Sequence, residues 1–273
     1  MTGHLEELAP GAYAWLQSPA RPGVTNAGVV VDADGITLVD SLMVASQYEP
    51  LAEAVERWGL PIRRLVLTSS HIGHVGGSAR FWMAACYGSP QTSALLDQPP
   101  NVVGYRRMTP EFADELTDDL RTRPVSHTVT DPVQLTDALA AYPVTGHQLE
   151  NLVVVAPGAG VLYAGAMCCF GTTPLAFDGD PAAWAAQLDE MAGWAPVVVP
   201  GQGPVGGPAE VSALADYLRA CVAADGDPTA IGPGPWDDWT MRSNDAVNVE
   251  RAAMLARGDR SVPPTMLHQL GLT

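Results

Sequence analysis

Thr68-Ser69-Ser70-His71-Ile72-Gly73-His74-Val75-Gly76-Gly77 is the stretch on which the fold reading turns. It follows Arg64 to Leu67, an apolar run of strand type, and it ends in paired glycines that let the backbone swing closely into the next element. Two histidines three residues apart, just after two serine hydroxyls, are a signal for proton transfer or metal ligation, because a neutral imidazole serves either purpose near neutral pH.

Working outward, the segments before the loop read as a β-β-α-β unit. Ala12 to Gln17 is apolar and aromatic, Asn26 to Asp32 is a valine run, and Ile36 to Asp40 follows across the Ala33-Asp34-Gly35 turn. Tyr48 to Trp58 places Leu51, Ala54, Val55 and Trp58 at helical spacing, and Gly59-Leu60-Pro61 stops that helix. Beyond the loop, Gln98-Pro99-Pro100 marks irregular chain, and Pro110 to Leu120 reads as a short acidic helix with proline in its first turn. Strand signals resume at Leu139 to Val144, Leu152 to Ala156 and Val161 to Ala164. Pro181 to Trp194, Ala195 to Val199 and Ala209 to Val222 then read as helix, strand and helix. Residues 227–273 carry a helix from about Asn244 to Arg257 and read as a C-terminal extension packed on a single domain spanning 1–273.

Composition narrows the function classes. The 273 residues hold 14 Lys plus Arg against 30 Asp plus Glu, a net charge of −16, and every one of the basic residues is arginine. An acidic chain repels a polyanion, so nucleic acid is excluded as a partner. The absence of lysine excludes Schiff-base chemistry and a phosphate-binding P-loop lysine. With 47% hydrophobic and 16% charged residues the chain can bury a large core. Met1 to Pro10 carries Glu6 and Glu7 and no basic cluster before an apolar run, which is not the pattern of a signal peptide, and no segment has the length and apolarity to span a bilayer. Cys86, Cys168, Cys169 and Cys221 are too few and too irregular for a disulfide framework, so a cytoplasmic location is expected.

The Thr68 to Gly77 loop resembles that of the metallo-β-lactamase superfamily, which reads Thr-His-x-His-x-Asp-His-x-Gly-Gly at this place. Further landmarks follow in order. Asn26-Ala27-Gly28-Val29-Val30-Val31 and Thr37-Leu38-Val39-Asp40-Ser41 resemble the family's opening strands, and Thr145-Gly146-His147 resembles its Pro-Gly-His turn. Val161-Leu162-Tyr163-Ala164-Gly165-Ala166 resembles the strand that ends Ala-Gly-Asp, and Val198-Val199-Pro200-Gly201-Gln202-Gly203-Pro204 resembles Val-Val-Pro-Gly-His-Gly-Pro. The likeness covers residues 12 to 224 and implies an α/β fold, a four-layer αββα sandwich of two mixed β-sheets flanked by helices. It also implies that Asp40 hydrogen-bonds the loop and does not react.

The departures bear on function. The positions that supply ligands in two-metal members read Ser69, His71, Gly73, His74, His147, Ala166 and Gln202, so three histidines remain and every carboxylate ligand is gone. Carboxylates neutralise paired divalent cations and hold the attacking hydroxide, which makes a two-metal hydrolase a poor reading. His71, His74 and His147 are therefore expected to line one cavity as acid and base groups, with Glu150 as a further candidate three residues after His147. Ser69, Ser70, Gln202, Cys168 and Tyr105 are candidate substrate contacts. No cofactor is the expectation. The alternative is a single zinc on His71, His74 and His147, because three imidazoles and a water complete a catalytic zinc site.

The residual equipment suits cyclisation, isomerisation, elimination or aldol-type chemistry on a small molecule, and the resemblance extends to cyclases and thioesterases of polyketide-like pathways. A single-zinc hydrolase of an ester, thioester or lactone is the second reading, and a non-catalytic ligand-binding protein on the same fold is the third. No membrane partner is expected, and a homodimer is left open. Trp82, Tyr105, Trp236 and Trp239 are candidates for an aromatic lid, with core packing as the competing role. His4, His127 and His268 belong to no motif and are expected at the surface.

Overall fold

The computed structural model describes residues 3–272. Twelve strands form in chain order: β1 (His4–Ala9), β2 (Ala12–Leu16), β3 (Ala27–Asp32), β4 (Gly35–Val39), β5 (Ile62–Val66), β6 (Ala85–Gly88), β7 (His127–Thr128), β8 (Val133–Thr136), β9 (Leu139–Val144), β10 (Asn151–Ala156), β11 (Val161–Cys169) and β12 (Val197–Gln202). Between and after them lie α1 (Ala45–Glu56), α2 (Ile72–Val75), α3 (Pro90–Leu96), α4 (Val102–Met108), α5 (Pro181–Met191), α6 (Pro208–Ala223), α7 (Asn244–Ala256) and α8 (Pro264–Gln269).

The strands form two mixed sheets. One runs β1 to β7 in sequence order, antiparallel through β4 and parallel from β4 to β7. The other is ordered β12-β11-β10-β9-β8 and is antiparallel except for the β11–β12 pair. Strands that are apolar along their whole length, such as Val29-Val30 or Leu152-Val153-Val154-Val155, must bury both faces. Alternate residues accordingly enter different clusters. Val30, Leu152 and Val154 pack between the sheets with Leu139 and Tyr163. Val29, Ile36, Leu38 and Leu65 face Leu51 and Val55 of α1, while Val153, Val155 and Leu162 face Trp184 and Leu188 of α5 and Leu214 and Leu218 of α6. The layers are thus helix, sheet, sheet, helix, the αββα sandwich expected from the motifs.

One expectation is corrected. Pro110 to Leu120 is not a helix: only Pro110–Phe112 makes a short turn of 3-10 type, and the helix of this region is α4, eight residues earlier in the chain. There Asn101 caps the Gly104 amide at 3.1 Å, a start signal that the Gln98-Pro99-Pro100 break conceals. His4 to Ala9 is a strand, pairing with β2. The tail helix α7 lies against α5 and α6.

Candidate functional site

The parallel β4 and β5 bring Asp40 beside the start of the motif loop. Asp40 accepts the Thr68 amide at 2.8 Å, the Thr68 hydroxyl at 2.7 Å and Nδ1 of His74 at 2.6 Å. It therefore shapes the loop, as the resemblance implies, and it also orients an imidazole. A carboxylate accepts and does not donate, so Nδ1 of His74 carries a proton toward Asp40, and Nε2 is the nitrogen left for the cavity.

His71 is held from the opposite side. Its Nε2 lies 3.0 Å from Oδ2 of Asp178, and its ring stacks on Phe177 with centroids 5.3 Å apart. Burial raises the Asp178 carboxyl, but the neighbouring His71, its hydrogen bond, His147 and Gln148 outweigh that and hold it at about 2. His147 follows Gly146, which has φ +138° and whose Cβ position would stand 2.4 Å from the Trp184 backbone, so only glycine makes this turn. The His147 ring meets His71 edge-on at 4.7 Å and Trp184 at 5.3 Å. Burial, with His71 and His74 close by, pushes its pKa well below the ordinary 6.5. The Asn151 amide nitrogen, 3.5 Å away, faces Nδ1 of His147 and leaves Nε2 as its proton-bearing nitrogen.

These three rings open on one cavity of about 130 Å³, shared with Tyr105, Gln202, Ala166 and Cys169. The Tyr105 hydroxyl accepts from the Ile72 amide at 3.3 Å, and burial raises its pKa to about 12, so it retains a proton to donate. Gln202 is anchored through Nε2 on the Arg21 carbonyl at 3.2 Å.

Other predicted groups lie elsewhere. Glu150 is outside this cavity: Oε2 accepts the Gln91 amide at 2.7 Å in the first turn of α3, so the carboxylate caps a helix. Cys168 points into the helix-side core, because β11 bulges between Gly165 and Cys169 and shifts the alternation by one; Cys169 takes the cavity place instead. Burial raises both thiols, Cys169 to about 12. Ser69 and Ser70 sit behind the rings, donating to Oε1 of Gln148 at 2.8 and 3.1 Å. Trp236 and Trp239 pack on Tyr217, and Trp82 is 70% exposed, so of the four aromatics only Tyr105 reaches the cavity. His4, His127 and His268 are exposed, as expected.

Asp178 and Gln148 were invisible to motif reasoning. Gln148 links the two halves of the site, taking the serines on Oε1 and donating Nε2 to Asp178 at 3.1 Å. Its place directly after His147 is the one signal available for it. Asp178 lies 107 residues from its partner.

The sequence model described as "Metallo-beta-lactamase superfamily" matches residues 20–225. The chain belongs to the metallo-β-lactamase superfamily. Among solved structures it is similar to a metallo-β-lactamase from Erythrobacter litoralis with β-mercaptoethanol in the active site, at 20% identity and TM-score 0.61, over 80% of this chain and 96% of that one. FIM-1 from Pseudomonas aeruginosa in its mono-zinc form is similar at 19% identity and TM-score 0.60, over 79% and 96%. A metallo-β-lactamase from Hirschia baltica gives 18% identity and TM-score 0.61, over 80% and 98%. At these identities the likeness is one of fold.

The superfamily implies metal, and the donor set here does not fit a two-metal site. Gly73 and Ala166 offer no donor and Ser69 is engaged by Gln148, whereas His71 and His74 each pair one nitrogen with a carboxylate and keep the other open, as metal-bound imidazoles also do. Among the described residues no group of three His, Cys, Asp or Glu side chains is arranged to hold a metal ion. Likewise among the described residues, no helix is long and apolar enough to cross a membrane.

Proposed function

We propose that this chain is a small-molecule enzyme working by metal-independent proton transfer, in a cyclisation, isomerisation, elimination or aldol-type step of a biosynthetic pathway. The observation that carries the reading is the pairing of two cavity imidazoles with carboxylates, His74 with the buried Asp40 at 2.6 Å and His71 with the half-buried Asp178 at 3.0 Å, which assigns each ring its proton. Nε2 of His74 takes a proton from carbon next to a carbonyl, and the C–H pair moves into the enolate while charge collects on oxygen. The Tyr105 hydroxyl and Nε2–H of His147 donate to that oxygen, and the enolate then either takes the proton back from His74 at carbon or attacks a second carbonyl, whose alkoxide takes that proton. No metal is assigned to this chemistry.

The test is NMR-monitored exchange of solvent deuterium into enolisable ketones, with metal content measured on the same protein before and after equilibration with zinc. The expected result is exchange by the chelator-treated protein that falls at least about a hundredfold in His74→Gln. Exchange that requires about one zinc per chain, and is lost with His147→Ala, would install the single-zinc hydrolase reading instead. No exchange with any ketone that binds would favour the ligand-binding protein.

A further inference from the structure

We infer that the substrate of this site is an uncharged, largely apolar carbonyl compound and that carboxylate- and phosphate-bearing molecules are rejected. This deepens the proton-transfer reading and rests on it. The cavity walls include Met43, Met108, Met241, Leu175 and Phe177, and beside the histidines, Tyr105 and Gln202 the polar lining is neutral: Thr25 and Thr109 donate their hydroxyls to the Gly73 and Tyr105 carbonyls, and Asn244 donates to Thr173. Methionine walls suit an apolar guest of irregular outline, since the unbranched thioether adapts its shape.

No arginine lines the cavity, and the chain contains no lysine. The arginines adjoining lining residues are engaged outside the cavity: Arg106 with Leu116 and Asp118, Arg107 with the carbonyls of Leu270 and Gly271, and Arg242 with Asp245. Arg21, adjoining the rim residue Pro22, reaches Glu111 at 2.9 Å, and Arg251 directs its guanidinium to the carbonyls of Gly179, Arg260 and Ser261. The charged groups behind the imidazoles, Asp40 and Asp178, are both negative, and the molecule as a whole carries −16. A bound anion would be stripped of water, face two carboxylates and meet no cation, whereas a ketone oxygen needs only the donors already present.

The test compares acetophenone with benzoate, which match in size and differ in charge, by ligand-observed NMR titration of the full chain at neutral pH. Acetophenone is expected to bind at least about tenfold more tightly, to lose its binding in Met241→Trp, and to yield to benzoate in Met108→Arg, which places a cation on the wall. Benzoate binding as tightly as acetophenone in the natural protein, no acetophenone binding up to millimolar concentration, or acetophenone binding unchanged in Met241→Trp would each overturn the inference. The wild-type affinity ratio stands whether or not either variant folds. It is also independent of turnover. A preference preserved in His74→Gln keeps the substrate class, while acetophenone that binds the natural protein without exchanging its protons sinks the proton-transfer reading alone.

Discussion

A carboxylate behind an imidazole decides which ring nitrogen keeps its proton, and Asp178 does this for His71 as Asp40 does for His74. Asp178→Asn is expected to slow proton exchange about 10- to 100-fold while leaving the chain folded at neutral pH, read by the deuterium assay and circular dichroism. Its effect on stability has a defined window. The Asp178 carboxyl sits near 2 in the folded chain against an ordinary 3.8, so its contribution is complete above about pH 4 and is lost as pH falls through about 2. The gap in urea stability between the natural chain and Asp178→Asn should therefore close over that interval. His147 acts in a separate range. Kept neutral in the fold and free to protonate at about 6.5 once unfolded, it makes stability fall as pH drops below that value, by up to about 1.4 kcal/mol per pH unit. His147→Phe should flatten this part of the profile between pH 7.5 and 5.5, both values chosen as roughly one unit either side. The three histidines were legible because the motif loop and the Thr145-Gly146-His147 turn lie in colinear order. Asp178 was not, since Phe177-Asp178-Gly179 belongs to no motif and its partnership exists only once β11 and the motif loop are folded together.

At the scale of elements, one helix face holds the segment that carries Asp178. Asn248 of α7 accepts the Ala176 amide at 2.8 Å and donates to Pro174 at 2.9 Å, Asn244 donates to Thr173 at 3.0 Å, and Arg251 donates to Gly179 at 2.8 Å. These residues recur at helical spacing, so a single stripe serves the whole segment. Asn248→Ala leaves a buried amide and carbonyl unpaired; it should lower unfolding free energy by about 1–3 kcal/mol in urea titrations and slow exchange with it. Glu150→Ala provides the contrast, costing about 0.5–2 kcal/mol through the lost cap on α3 with exchange per folded molecule unchanged. Sequence reading placed α7 within a residue of its observed end but gave it no task, because a stripe of Asn, Asn and Arg looks like an ordinary solvated face. The bulge in β11 was hidden for a related reason. Period-two alternation assumes an unbroken ladder, and Gly165 at φ +49° breaks it.

Across the whole molecule, the two sheets approach closely where Gly28 of β3 meets Tyr163 of β11. A Cβ on Gly28 would stand 2.4 Å from the Tyr163 ring, which is 1% exposed and fixed between the sheets. Gly28→Ala should consequently cost about 1–3 kcal/mol by overpacking, measured as a lower denaturation midpoint with unchanged slope. The layered fold was readable because each core strand is apolar on both faces, which demands cover on both sides.

The hydrogen bonds that α7 makes to residues 173–179 also set an order of events during synthesis. A chain made from its amino end releases every strand, the last ending at Gln202, before Asn244, Asn248 and Arg251 leave the ribosome. A nascent molecule can thus place His74 against Asp40 while Asp178, and with it His71, waits for the tail.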